Sequence, residues 1–214
     1  MQLITLMVAM GVAAGLLRSP FVKGWWGEFQ VNAALRLFLS RKRYHLIKNI
    51  TVRSDNGTTQ IDHIIVSAYG LFVIETKNMS GWIFGTDRDS QWTQKFRRKS
   101  FQFQNPLRQN FKHAAVLSEV LGLRRGVIKS VVVFVGSARF KRQVPANVTN
   151  VGGCIRHIAS CRETLLTDGE VHRVLELLKS VRLDASFRTH RDHVRLLRNR
   201  LSTDKKNHAR KQKM

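Results

Sequence analysis

The stretch Gln60-Ile61-Asp62-His63-Ile64-Ile65-Val66-Ser67-Ala68-Tyr69-Gly70-Leu71-Phe72-Val73-Ile74-Glu75-Thr76-Lys77 decides the fold. Two runs rich in β-branched and apolar residues flank Ser67-Ala68-Tyr69-Gly70, so the segment reads as a tight β-hairpin. Ile64 to Val66 and Leu71 to Ile74 are apolar without alternation, the pattern of strands covered on both faces. A register symmetric about the turn sets Asp62 opposite Glu75, and period-two alternation aims Lys77 to the same side as Glu75. Like charges directly across a strand pair repel, and carboxylates at the mouth of buried strands are costly unless compensated. A cation or a proton is needed between them. An Asp, a Glu and a Lys converging on one strand pair is the equipment of a metal-dependent phosphodiesterase. The plainer alternative is a solvated Glu-x-Lys edge pair, worth little; the apolar flanks weigh against it.

Upstream, Tyr44 to Val52 reads as the first strand, and Asp55-Asn56-Gly57 as the turn into the Asp62 strand. Gly27-Glu28 is read as opening a helix on which Val31, Leu35 and Phe38 or Leu39 recur at helical spacing. Glu28 then heads the buried stripe, or is an ordinary first-turn acid complementing the helix dipole. Downstream, Asn78 to Asp89 holds Gly81 and Gly85 and reads as a turn or hairpin carrying Trp82. Trp92 is read as a core plug ahead of a base-stacking platform. Phe96, Arg97-Arg98-Lys99, Phe101 and Phe103 form a basic, aromatic stretch. It suits a nucleic-acid backbone with exposed bases, or else aromatics packing inward from a loop. Asn105-Pro106 gives a cap and a first-position proline for a helix that stops at Gly122. Gln109, in its first turn, can reach a phosphate or a metal-bound water, or simply cap and pack. Val127 to Val135 is the most apolar strand and is placed centrally in the sheet. Asn147 to Val151 is read as a further strand, and the capping box Thr167-Asp168-Gly169-Glu170 opens a helix through Leu178.

Six pieces stand in order: Gly27-Glu28, Gln60-Ile61-Asp62-His63, Gly70-Leu71-Phe72-Val73-Ile74-Glu75-Thr76-Lys77-Asn78, Gly81-Trp82-Ile83, Gln91-Trp92 and Asn105-Pro106-Leu107-Arg108-Gln109. Together they resemble the NERD (nuclease-related) domain, a branch of the PD-(D/E)xK nuclease superfamily. The resemblance covers about residues 24–115 and continues more faintly to about 160. It implies an α/β, restriction-endonuclease-like fold, with a mixed central sheet flanked by helices. It also implies that Asp62 and Glu75 bind Mg²⁺ (Mn²⁺ being the alternative), that Lys77 sits by the attacked phosphate, and that Glu28 assists. Thr76 would add its backbone carbonyl to the metal, with Gln60 and Gln109 as accessory residues. The superfamily's literal Pro-Asp is absent, since Ile61 precedes Asp62.

Lys and Arg number 37 against 14 Asp and Glu, a formal net charge of +23. An imbalance of this size implies a polyanionic partner. Charge alone leaves DNA, RNA and an anionic membrane surface open; with the resemblance, nucleic acid is expected, DNA ahead of RNA, and Arg97, Arg98, Lys99, Arg108 and Lys112 are the candidate contacts. Cys154 and Cys161 match no zinc-ligand spacing and read as small apolar residues. Met1 to Leu17 carries no charge, and its length sits at the lower limit of a spanning helix. The basic residues follow it, which places the body of the protein in the cytoplasm. Residues 1–17 are therefore expected to be a single-pass anchor in the inner or plasma membrane; a signal peptide of an exported protein and a core helix of a cytoplasmic one are the alternatives. The expected organisation is an anchor at 1–17, a nuclease-like domain at 24–160, a helical C-terminal part at 161–187, and a basic helix with a disordered tail at 188–214. The function expected is a membrane-tethered, metal-dependent nuclease. Its rivals are a catalytically inactive nucleic-acid-binding protein on the same fold and a membrane-associated scaffold binding anionic lipid.

Overall fold

A computed structural model describes residues 19–55 and 57–183. The expected anchor at 1–17 and the basic helix and tail at 188–214 lie outside the described residues. Among the described residues, no helix is long and apolar enough to cross a membrane.

The hairpin forms as its sequence requires. β2 (Gly57–Ser67) and β3 (Gly70–Asn78) pair antiparallel from Ser67↔Gly70 to His63↔Ile74. Ser67 Oγ closes the turn, accepting from Tyr69 N–H (3.2 Å) and donating to the Gly70 carbonyl (3.1 Å). β1 (His45–Ser54) flanks β2 antiparallel, while β7 (Ile128–Val135) runs parallel to β3. With the short β9 (Val148–Thr149), they make a mixed five-stranded sheet in the order β1-β2-β3-β7-β9.

Helices cover both faces. α1 (Pro20–Phe38) and α3 (Val151–Ser160) cover Ile65, Phe72, Ile74, Val131 and Val133. α2 (Pro106–Leu121) and α4 (Asp168–Val181) cover Ile64, Val66, Leu71 and Val73. Two-sided cover explains why these strands carry unbroken apolar runs. β4 (Gly81–Phe84), β5 (Gln91–Phe96), β6 (Lys99–Gln104) and β8 (Ala138–Phe140) form a second, four-stranded sheet, unforeseen in the sequence. Trp92, fully buried, plugs it onto Phe134 of β7 with ring centroids 6.1 Å apart.

Two boundaries differ from expectation. The first helix does not open at Gly27-Glu28: Ser19 caps it and Pro20 takes its first turn, so Glu28 lies mid-helix. The segment from Val151, expected to end a strand, begins α3 instead, because Asn150 caps it and Cys154 and Ile158 are buried against the sheet.

Past α4, the Leu183 N–H bonds the Thr51 carbonyl (2.9 Å), and Arg182 Nη2 reaches the carbonyls of Lys48 and Asn49 at 3.3 Å each. The chain thus straps the outer edge of β1.

Candidate metal and phosphate site

Asp62 sits where two ladders pause. Between Lys48↔His63 and Ile50↔Ile61 no regular pair forms at Asn49 and Asp62, and Asn49 has a φ of 47°. The apolar alternation slips there as well, since Ile47 packs against the core that holds Ile50, and Ile61 shares that core with Ile64. The strands kink together, and the Asp62 side chain takes over a main-chain role. Its Oδ2 accepts the Thr76 N–H at 2.8 Å, just beyond the last regular pair with β3.

Glu75 is almost completely buried, at 3% exposure. Lys77 Nζ lies 2.7 Å from its Oε1 and donates to Gln109 Oε1 on α2 at 3.0 Å. His113 Nε2 is 3.4 Å from Glu75 Oε2, an ion-pair distance without hydrogen-bond geometry, and its Nδ1 meets Thr59 Oγ1 at 2.7 Å. Gln109 and His113, one turn apart, share the face of α2 turned to the site. Asn110 holds the helix down by donating to the carbonyls of Val73 (2.8 Å) and Val131 (3.0 Å).

Glu28 approaches from α1, held by the Asn49 side chain. Gly27 makes the approach possible, because a Cβ there would lie 2.8 Å from Val135 Cγ2 and 2.9 Å from Asn78 Cβ. Asn78 also ties the helix, donating from Nδ2 to the Lys23 carbonyl (2.7 Å).

The electrostatics are uneven. Burial, then the charge of Glu75, pushes the Asp62 carboxyl up to about 8, against the Thr76 N–H bond that favours its anion. Burial also works to raise Glu75, but His113 and Lys77 outweigh it and bring Glu75 below its ordinary value. Burial raises Glu28 as well, with the charge of Glu75 adding to it.

The residues read from the sequence thus separate into two groups. Glu28, Asp62, Glu75, Thr76, Lys77 and Gln109 come together. Gln60 lies two positions before Asp62 and pairs across with Thr51. Arg97, Arg98 and Lys99 lie at the tip of the β5–β6 hairpin, while Arg108 and Lys112 are exposed on α2, Arg108 donating to the Arg88 carbonyl. His113 joins the site without having been singled out from the sequence. The available signal was a polar residue inside the buried stripe of α2, Pro106, Asn110, His113, Leu117 and Leu121.

The donor set fits a hard dication. Two carboxylates meet, and Glu75 Oε2 is buried without a hydrogen-bond partner. Among the described residues, no group of three or more His, Cys, Asp and Glu forms a metal cage.

The chain matches the nuclease-related domain (NERD) family over residues 23–135, from α1 through β7. It belongs to that family. The NERD match spans each of Glu28, Asp62, Glu75, Lys77, Gln109 and His113. An uncharacterised protein of Bacillus anthracis is 32% identical over 195 residues, covering 86% of this chain and 87% of the relative. The likeness therefore extends past the family's own limits into the C-terminal helices.

Proposed function

We propose that this NERD protein is a Mg²⁺-dependent nuclease that hydrolyses phosphodiester bonds, with DNA as its principal substrate. One observation carries the reading: at the mouth of two buried strands, Glu75 keeps an orphaned oxygen beside Asp62, whose anion is disfavoured. Lys77 and His113 offset the charge of Glu75, whereas the Asp62 anion stays disfavoured, so a cation bound beside it would be stabilising. Asp62 and Glu75 would hold the metal, with the Thr76 carbonyl as a further oxygen donor. A bound dication would lower the pKa of a water and neutralise charge on the phosphate. Lys77 places its ammonium beside the carboxylates, where it can stabilise the oxygens of the phosphate in the transition state. Gln109 fixes that ammonium, His113 steadies Glu75, and Glu28 adds a third carboxylate on the α1 side. Arg97, Arg98, Lys99, Arg108 and Lys112 supply sequence-independent attraction to the backbone.

Tethering to a membrane by residues 1–17, with the domain on the cytoplasmic side, belongs to the same proposal. It is supported by the exposed Trp25, Trp26 and Phe29 near the start of α1, aromatics of the kind that gather at lipid headgroups.

The test is cleavage of supercoiled plasmid by the purified chain. Nicking is expected with Mg²⁺ and none in EDTA. Asp62→Ala and Glu75→Gln should each lower turnover by at least about 100-fold. Glu75→Gln should bind DNA as tightly as the parent or tighter, because it removes a negative charge near phosphate. Cleavage by Glu75→Gln at the parental rate would refute the role given to it. A second reading, a nucleic-acid-binding protein without catalysis, is favoured by the 2.7 Å Lys77–Glu75 pair, which neutralises Glu75 without a metal. Metal-independent binding with no cleavage in any divalent cation would establish that reading instead.

A further inference from the structure

The hairpin of β5 and β6 carries a surface that the folding of the domain does not use. Its register pairs Trp92↔Phe103, Gln94↔Phe101 and Phe96↔Lys99, so Trp92, Gln94, Phe96, Phe101 and Phe103 share one face. At one end of this face Trp92 is buried on Phe134, and Phe134 is the ladder neighbour of Lys77. At the other end Phe96 and Phe101, diagonal neighbours, are 44% and 52% exposed. Phe96 touches the start of β4, since a Cβ on Gly81 would lie 3.2 Å from its Cδ2. Gly81 follows Lys77 by four residues, a reach of at most about 14 Å. The aromatic overhang therefore stands a few nucleotides from the site lysine.

The turn adds a second, independent observation. Phe96↔Lys99 closes a two-residue loop whose central residues are both arginines, and Arg97 has a φ of 56°. Asn or Gly suits such a position, and a bulky side chain there is strained. The loop keeps that strain and sets two guanidinium groups at the tip, Arg97 lying 5.6 Å from the Phe96 ring centroid. Lys99, paired with Phe96, lies on the same face and adds a further positive charge beside the exposed rings.

We propose that this hairpin is a clamp for an unpaired nucleic-acid strand: Phe96 and Phe101 stack on its bases while Arg97, Arg98 and Lys99 hold its phosphates. Stacking on aromatic rings needs bases free of their partners, whereas phosphate contacts accept any form. The substrate class is accordingly a single strand, a frayed or branched end, or a segment unpaired by negative supercoiling, in preference to a relaxed duplex. The placement of the scissile phosphate beside Lys77 rests on the nuclease reading above; the strand binding does not.

Binding is measured by fluorescence anisotropy in EDTA, on the full chain carrying Glu75→Gln, so that cleavage plays no part. The probes are labelled dT20 and rU20 strands and a closed DNA hairpin duplex. Phe96→Ala and Phe101→Ala should each weaken dT20 binding at least about fivefold. Duplex binding should stay within about twofold, with the salt slope unchanged because no charge is lost. Trp82→Ala, on the opposite face of the small sheet by register, should leave strand binding unaltered. Comparable losses for rU20 identify the base and phosphate as what is read; losses for dT20 alone identify a clamp for DNA. Unaltered thermal midpoints keep any loss assigned to contact rather than unfolding. Equal effects on strand and duplex, or none on either, would overturn the clamp and leave the nuclease reading untouched. Strand binding that responds as described, in a protein that never cleaves, would remove the nuclease reading and keep the clamp.

Discussion

Removing the charge from Asp62 separates what it costs the fold from what it offers a cation. An acid whose folded pKa is raised contributes stability that is fully present below its unfolded value, near 3.8, and lost as pH rises toward about 8. Glu75, lowered, acts in the opposite sense and loses its contribution in acid. In EDTA, the parent should therefore lose stability from Asp62 between about pH 4 and 8. Asp62→Asn keeps an oxygen for the Thr76 N–H and drops the charge, so at pH 8 it should be more stable by roughly 1–3 kcal/mol. Urea unfolding at pH 5 and pH 8 measures this, and added Mg²⁺ should stabilise the parent but not Asp62→Asn. The meeting of Glu75 with Lys77 was legible because strand alternation is a strict rule. His113 was not, since a helix facing a site from across the sheet leaves no local spacing to read. Nor did the sequence show that Asp62 would replace a main-chain partner, because that depends on the left-handed Asn49 one strand away.

At the scale of elements, the position of α1 hangs on one missing side chain. Gly27→Ala would drive a Cβ into Val135 and Asn78 at under 3 Å, and both neighbours are anchored in the sheet. The helix must then lift, carrying Glu28 with it. The expected outcome is a loss of about 1–3 kcal/mol, read from chemical denaturation. A fall in cleavage larger than the unfolded fraction explains would come from displaced Glu28. Strong local signals decided which elements could be foreseen. The β2–β3 hairpin, the Val-rich β7, the Asn105-Pro106 start of α2 and the capping box of α4 all carry their own chemistry. The second sheet does not, for its parallel β4–β8 pairing joins segments more than fifty residues apart. The helix α3 was hidden by Gly152 and Gly153, whose poor propensity is overridden by burial of Cys154 and Ile158.

For the whole molecule, the excess of 37 basic over 14 acidic residues should make the proposed affinity for nucleic acid chiefly counterion release. The logarithm of the binding constant should fall steeply and linearly with the logarithm of salt concentration. Deleting residues 202–214 removes Lys205, Lys206, Arg210, Lys211 and Lys213, and should flatten that slope and weaken all sequences alike. Folding should be unaffected, as the segment offers almost no apolar surface. Titrations at 50 to 300 mM salt, roughly, decide it, and an unchanged slope would mean that the tail serves another purpose. Overall charge was the easiest property to read from the sequence, yet it said nothing of where a strand would lie. Charge also bears on a hazard of sheet proteins. The strap of Arg182 and Leu183 occupies carbonyls on the outer edge of β1 that would otherwise be open to another chain. A sheet propagates into fibrils only from a free edge. This one is guarded on its long side by its own continuation, with a guanidinium at the guard position, so crowding of many copies on one polyanion need not seed aggregation.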